Sequence, residues 1–419
     1  MSAAERQGPR LLIYSQDGLG LGHLRRTTLI AGEFLAARPD ASVLTVCDSP
    51  AGQFFDTAPG HEHLKLPSVR KLGPGDWAPL RLPIPFTDVL AMRAKTIRAA
   101  VDGFRPDVLL VDHMPHGTMG ELVPTLELLE GRGVRMVLGL RDILDAPATV
   151  RRRWQLEGAF KAVERHFDDV LVYGSRDVYD VGSEYGWPEE LRSRLRYCGY
   201  VCAPPTKTSR KRARRHVMGS HSDAKLIVAM AGGGADGYDL FETLVQAMPK
   251  LLVERDCVLL LVTGPFLPGP ERASLKRAAR GLPVVVRKSV PDSAVWLNAA
   301  DLTVAMAGYN TTAEILSSGR RALLVPRSGP SAEQRLRVSA FAQRDWIDWV
   351  DPDDLDPETL STAMARSLAR PRRRAGTRPD LGGRHRAAAH LLPERVGSVR
   401  FGDDERLAEG GDQVIEACP

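Results

Sequence analysis

Short apolar runs alternate with helical patterns along most of the chain. The runs at 10–15 (RLLIYS), 42–48 (SVLTVCD), 107–112 (DVLLVD), 135–139 and 169–174 are continuous rather than alternating. Runs of that length suit strands covered on both faces. Spaced apolar residues between them predict helices at 23–40, 87–103, 121–131 and 148–165. The Pro- and Gly-rich stretch 66–85 reads as a long loop with turns. Residues 203–223 break the rhythm: PPTKTSRKRARRH is Pro-led, basic and almost free of apolar side chains. It reads as an inter-domain linker with at most a short helix. The same grammar then restarts, with strands at 225–231, 257–264, 283–288, 302–307 and 321–326. Helices are expected at 238–252, 292–299, 313–318 and 380–392. The pattern predicts an α/β chain of two parallel-sheet domains. The first spans 1–202, the linker 203–222, the second 223–392, and 393–419 form a flexible tail.

Composition narrows the function classes. Hydrophobic residues make up 43% of the 419 and charged residues 26%, enough for folded cores. The net charge is +5. Lys207, Arg210, Lys211, Arg212, Arg214 and Arg215 alone exceed it, so no basic coat for nucleic acid is indicated. Cys47, Cys198, Cys202, Cys257 and Cys418 are scattered and form no CxxC pair, which speaks against zinc and against a secreted disulfide framework. No apolar stretch approaches the ~20 residues of a membrane span, and the first ten residues lack a signal core. A cytoplasmic location is expected.

The strongest chemical signal is AMAGYNTTAEILSSGRRALLVPRSGPSAEQ, residues 305–334. Gly308 permits a tight turn after a strand, and Asn310, Thr311 and Thr312 stand at a helix start, where free N–H groups favour an anion. Glu314, within the first helical turn, can accept from two ribose hydroxyls. The alternative is plain capping, with Thr311 or Thr312 as cap and Glu314 favouring the helix dipole. In SQDGLGLGHLRRT (15–27), Gly18, Gly20 and Gly22 link a strand to a helix, and His23 is a candidate general base. Asp17 or Asp112 would orient it; otherwise His23 is a helix-start residue touching phosphate or backbone. AMAGGGADG (229–237) matches G-x-G-x-x-G at Gly232, Gly234 and Gly237. The next strand ends VTG without an acid, which disfavours a dinucleotide site. Asp112, His113 and His116 follow one strand, and Arg141 and Asp142 another; such strand ends carry ligands in open α/β sheets. No third segment completes a metal site beside Asp112 and His113.

The run 305–334 closely resembles the donor-binding segment of GT-B nucleotide-sugar glycosyltransferases. The nearest group is glycosyltransferase family 28, which includes the N-acetylglucosaminyltransferase that completes lipid II. The resemblance implies that Gly308, Asn310 and Thr311, with Gly232, Gly233 and Gly234, neutralise the donor diphosphate. It implies Glu314 on the ribose and Glu333 and Gln334 on the donor sugar. Arg320–Arg321 replace the usual Pro before the strand. The 15–27 loop resembles the family's G-G-x-G-G-H loop, with His23 at the His position and Gly20, Gly22, Asp112 and His113 on the acceptor side. SQDGLGLGHLRRT, VDHMPHG, GLRDILDAP and AGYNTTAE together look like a bacterial subgroup of predicted glycosyltransferases.

The implied fold is GT-B, two Rossmann-like domains facing across a cleft, with the last helix crossing back to the first domain. The implied reaction moves a sugar from a nucleoside diphosphate sugar, UDP-linked, to an acceptor hydroxyl. It needs no metal and no cofactor beyond the substrate. The acceptor is a small molecule or lipid-linked; in the latter case the enzyme sits peripherally at the inner membrane face. A sugar-nucleotide 2-epimerase would use the same fold without an acceptor pocket. A non-enzymatic anion or nucleic-acid binder would act through the basic linker, yet no aromatic residues interleave with it.

Overall fold

The computed structural model describes residues 8–16, 22–50, 57–73, 76–204, 210–219, 223–370 and 379–393. Strands of the first half are β1 (Arg10–Ser15), β2 (Ser42–Cys47), β3 (His61–Lys65), β4 (Val69–Gly73), β5 (Asp76–Pro79), β6 (Val108–Asp112), β7 (Arg135–Arg141), β8 (Asp169–Tyr173) and β9 (Leu195–Tyr197). All but β4 and β5 form one parallel sheet in the order β3-β2-β1-β6-β7-β8-β9. The second half contributes β10 (Lys225–Met230), β11 (Cys257–Val262), β12 (Val284–Arg287), β13 (Leu302–Ala305), β14 (Arg321–Leu324) and β15 (Asp348–Trp349), ordered β12-β11-β10-β13-β14-β15 and also parallel.

The continuous apolar runs have the reason expected of them. Leu11 and Ile13 of β1 pack on one face with Ile30 and Phe34 of the helix Gly22–Ala37. Leu12 and Tyr14 pack on the other face with Val111 and Leu140. Each such side chain contributes about 1.5–3 kcal/mol by leaving water, so both faces require apolar residues. In each sheet the strand order reverses beside the first strand: β1 lies between β2 and β6, and β10 between β11 and β13. Crevices at the C-terminal ends of strands open at such points. The loops after β1, β6, β10 and β13 are those that carry the sequence motifs.

Several elements depart from the pattern. The expected loop 66–85 contains the antiparallel hairpin β4–β5. Apart from Val69 its strands, VRKLG and DWAP, are exposed or half-buried, so neither shows apolar alternation. The hairpin is tethered from outside: Ser68 Oγ donates to the Asp48 carbonyl at 2.7 Å and Arg93 to the Pro67 carbonyl at 2.6 Å. The expected helix 148–165 is two helices, Pro147–Leu156 and Ala159–His166, separated at Gly158 with φ of +66°. The linker forms the helix Arg210–Met218. The final helix, Gly383–Leu391, does cross back: Arg384 pairs with Glu33 at 2.6 Å and Arg135 donates to the His390 carbonyl at 2.6 Å. The tail from 394 onward lies outside the described residues.

His61 on β3 is buried, 2.8 Å from Thr45 Oγ1, with its ring 4.8 Å from that of His63. Burial, then the neighbouring His63, pushes its imidazole down to about 4. The unfolded chain takes up this proton near pH 6.5, and the folded chain only near pH 4. Stability is therefore complete above pH 6.5 and falls as the pH drops towards 4, by about 3 kcal/mol from this group at 1.36 kcal/mol per pKa unit. Denaturant unfolding from pH 7 to 4.5 should show this slope, reduced in His61→Asn.

Candidate active site

The residues singled out in the two halves meet in the cleft between the sheets. Gly22 opens the helix Gly22–Ala37, and Asn310 Nδ2 donates to the Gly22 carbonyl at 2.8 Å. A Cβ added at Gly22 would lie 3.3 Å from that Nδ2, a tight contact that Asn310 could keep only by shifting a few tenths of an ångström. One residue on, His23 Nδ1 lies 2.7 Å from Asp112 Oδ2 at the end of β6. Arg26 Nη2 approaches the same Nδ1 at 3.0 Å, but the shorter contact to a carboxylate favours the proton on Nδ1, with Nε2 as the basic nitrogen. Asp112 is buried and also accepts from Arg26 Nη2 at 2.7 and 3.0 Å. Burial pushes the Asp112 carboxyl up, but Arg26 and His23 together outweigh it and hold it below its ordinary range. It stays ionised and can stabilise a cationic His23. The Arg26 guanidinium sits between the rings of Tyr173 and Tyr309, 5.0 and 5.2 Å from their centroids.

His113 follows Asp112 with φ of +87° and its ring 5.1 Å from that of His23. Burial, then Arg141 and His23, pushes its imidazole well below 6.5, so it remains neutral beside the dyad. His23 and His113 open onto a cavity of about 730 Å³ whose walls include Met114, Trp77 and Trp154. Arg70, Lys71 and Arg153 add positive charge to the lining. The hairpin missed from the sequence forms one wall. Gly20 and Asp17 lie outside the described residues, so Asp112 is the orienting carboxylate the structure shows.

In the second half, Gly308 is the N-cap of the helix Tyr309–Ser318 and no side chain caps it. Thr312 Oγ1 instead donates back to the Gly308 carbonyl at 2.8 Å. Capping by Thr311 or Thr312, the plain alternative, is not what this helix start does. Its first N–H groups are left for an anion. The Gly232–Gly234 loop lies alongside, since a Cβ at Gly232 would approach Thr311 Oγ1 to 3.8 Å. Gly234 has φ of +90°, and a Cβ there would fall 1.9 Å from the Thr263 carbonyl oxygen. A Cβ at Gly233 would meet the Phe266 ring at 2.8 Å. Packing against the loop after β11 thus accounts for Gly233 and Gly234, whatever binds nearby.

Glu314 is buried and pairs with Arg25 of the facing helix at 2.5 Å; Ser293 Oγ bridges both at 3.0 Å. Burial pushes the Glu314 carboxyl up, and Arg25 and Ser293 offset this only in part. Glu333 pairs with Arg141 at 2.9 Å across the cleft and with Arg337 at 2.9 Å on its own helix. Gln334 Oε1 accepts from the N–H groups of Ala307 and Arg327 at 3.1 and 3.0 Å, joining the ends of β13 and β14. Among the described residues, no group of three or more His, Cys, Asp or Glu side chains is placed to hold a metal ion.

Residues 228–388 match the family model described as glycosyltransferase family 28 C-terminal domain. That match lies in the second of the two sheet domains. The chain is a family 28-like protein of the GT-B fold. Two curated relatives share the description UDP-N-acetylglucosamine–N-acetylmuramyl-(pentapeptide) pyrophosphoryl-undecaprenol N-acetylglucosamine transferase. The one from Brucella anthropi is 30% identical over 146 residues, 34% of this chain and 38% of the relative. The one from Granulibacter bethesdensis is 31% identical over 104 residues, 24% of this chain and 27% of the relative. The matches thus span well under half of the curated relatives' own length. Among solved structures, the glycotransferase of kitacinnamycin aligns with a TM-score of 0.57 at 18% identity, covering 91% of this chain and 94% of that one. MurG of Acinetobacter baumannii aligns at 0.53 and 16%, covering 92% and 96%. At such identities the likeness is one of fold.

Other groups in the cleft of this family 28-like chain were not singled out from sequence. Arg337 is fully buried and donates to both oxygens of Asp142 across the cleft, at 2.6 and 2.9 Å, and to the Ala307 carbonyl at 2.8 Å. Tyr309, whose hydroxyl accepts from Val201 N–H at 2.9 Å, shares Arg26 with Tyr173. The sequence carried one hint, the spacing of Glu333 and Arg337 by four residues. Asp351 caps a 3-10 turn and pairs with Arg335 at 2.6 Å.

Proposed function

We propose that the protein transfers a sugar from a nucleoside diphosphate sugar, UDP-linked, to an acceptor hydroxyl, without a metal ion. The observation that carries this reading is the convergence of the His23–Asp112 dyad and the uncapped helix start at Gly308 in one cleft. The donor diphosphate would lie against the N–H groups of Asn310 and Thr311 and the Gly232–Gly234 loop, with electrostatic stabilisation of the leaving group. Glu314 would accept from the ribose, and Glu333 and Gln334 would meet the sugar. His23 Nε2 would take the acceptor proton while Asp112 holds the ring and offsets its charge.

The 730 Å³ cavity beside His23 supports transfer over 2-epimerisation, because an epimerase needs no acceptor pocket. Its apolar walls and cationic lining suit a lipid-linked acceptor, the type named in the curated relatives' description. Leu72, on the hairpin that walls the cavity, and Leu82 and Ile84 just beyond it are exposed. This reading places the enzyme peripherally at the inner membrane face; no helix among the described residues is long and apolar enough to cross a membrane.

The experiment is calorimetric titration of UDP, GDP and dTDP into the metal-free protein. One of them should bind, and Glu314→Ala should weaken it by about 1–3 kcal/mol, the range for a lost hydrogen bond to a charged group. Arg25→Ala should act in the opposite sense, tightening binding by about 1 kcal/mol, because Arg25 occupies the carboxylate that the ribose must reach. Failure of all three to bind, or indifference to Glu314, overturns the donor site.

A further inference from the structure

The linker cations fall into two sets. Arg210 and Arg214, one turn apart on the helix Arg210–Met218, turn inward onto Asp301 at 2.5 and 2.7 Å. The Leu226 N–H donates to the same carboxylate at 2.9 Å. Lys211, Arg212 and Arg215 remain exposed. The basic run is thus a clasp on the second domain, closing over the end of the sheet where β10 and β14 begin.

Beside this clasp lies a cavity of about 270 Å³. Arg210, Lys225, Arg320 and Arg321 line it against one carboxylate, that of Asp301. That carboxylate is already bonded to two guanidinium groups. Lys225, the first residue of β10, is exposed, and its ammonium makes no hydrogen bond or ion pair with any described residue. Arg321, the first residue of β14, donates from Nη1 to the Leu368 carbonyl at 2.7 Å, and its Nε is buried without a partner among the described residues. Cations gathered in a concave site raise the local potential and attract anions. The rest of the lining is Ala300 and Gly319, which offer no aromatic face for a base to stack on.

We propose that this cavity is a second anion site, for a compact, multiply charged phosphate of the size of pyrophosphate. It lies at the N-terminal ends of β10 and β14, whereas the Gly232 and Gly308 loops follow the C-terminal ends of β10 and β13. It is therefore separate from the cleft, and its existence does not depend on the reaction proposed there. An anion held by Arg210 on one side and by Lys225 and Arg321 on the other ties the linker helix to the sheet. Arg320–Arg321, where the resembled family has Pro, supply half of its cations.

The test is calorimetry of pyrophosphate and orthophosphate with the full chain, its Lys225→Glu and Arg321→Gln variants, and Asn310→Ala as the cleft control. Lys225→Glu should weaken one pyrophosphate site at least tenfold and leave nucleoside diphosphate binding in place; Asn310→Ala should leave that site unchanged. The Lys225 side chain bonds to no described residue, so this variant carries the test if Arg321→Gln fails to fold. Cosedimentation with phosphatidylglycerol vesicles separates the sources. Loss of vesicle binding in Lys225→Glu, without any free-anion site, assigns the same cavity to a lipid headgroup. A single pyrophosphate site that Asn310→Ala abolishes and Lys225→Glu leaves intact, with vesicle binding unaffected by Lys225→Glu, overturns the proposal.

Discussion

His23→Gln lowers turnover by about 10²–10⁴-fold, the range lost when a positioned general base is removed, with little change in nucleoside diphosphate affinity. Glutamine keeps much of the size and polarity of the ring but cannot take a proton. The dyad explains the magnitude. Asp112 lies 2.7 Å from Nδ1 and is kept ionised chiefly by Arg26, so a proton arriving at Nε2 creates a cation beside a fixed anion. Asp112→Asn should lower turnover as well, and it also leaves the buried Arg26 without its ion pair. Release of nucleoside diphosphate in the presence of an accepted alcohol measures both. Turnover of His23→Gln within fivefold of the wild type would move the base elsewhere in the cavity.

Asp142→Ala destabilises the protein by about 3–5 kcal/mol, the cost of leaving a buried charge without its partner. Arg337 has three polar partners: both oxygens of Asp142, Glu333 and the Ala307 carbonyl. Removing Asp142 takes away the bidentate one, from β7's trailing loop, and with it a direct tie between the two halves. Glu333, which already pairs with Arg141 and Arg337, is then the one carboxylate among the described residues left to Arg337, so donor binding should weaken along with stability. The paired change Asp142→Leu with Arg337→Met should recover much of the stability, since apolar replacement of a whole buried pair is often neutral. It should not recover donor binding, because Glu333 loses the cation that orients it. Denaturant unfolding of the single and double variants measures the first effect and calorimetry the second. A loss below 1 kcal/mol in Asp142→Ala would mean that Glu333 alone suffices for Arg337.

The candidate site was legible where chemistry is local. A glycine turn, a helix start and a carboxylate one turn later lie within seven residues, Gly308 to Glu314, and the structure keeps them together on one helix. His23 was legible for the same reason, as the residue after the loop's last glycine. Its partner was open between Asp17 and Asp112, because which of the two reaches the ring depends on β6 lying next to β1, 89 residues from His23 in the chain. The role of Arg25 was hidden in the same way. On its own helix it is a solvated cation, and only the facing domain turns it onto Glu314.

What the sequence by itself determined is the fold class, the repeat of one sheet grammar in two halves, and the loops that carry the chemistry. Continuous apolar runs leave few alternatives for a strand, and glycine or a helix start acts through its immediate neighbours. Tertiary structure alone decided the hairpin β4–β5, the edge strands β3, β9 and β15, and every pairing across the cleft. Edge strands and an exposed hairpin have one open side, so burial does not write a period into their residues. A charged pair such as Asp142–Arg337 or Arg25–Glu314 joins residues 195 and 289 positions apart in the chain. Nothing local distinguishes those arginines from the many that face water, and only the packing of the two domains selects them.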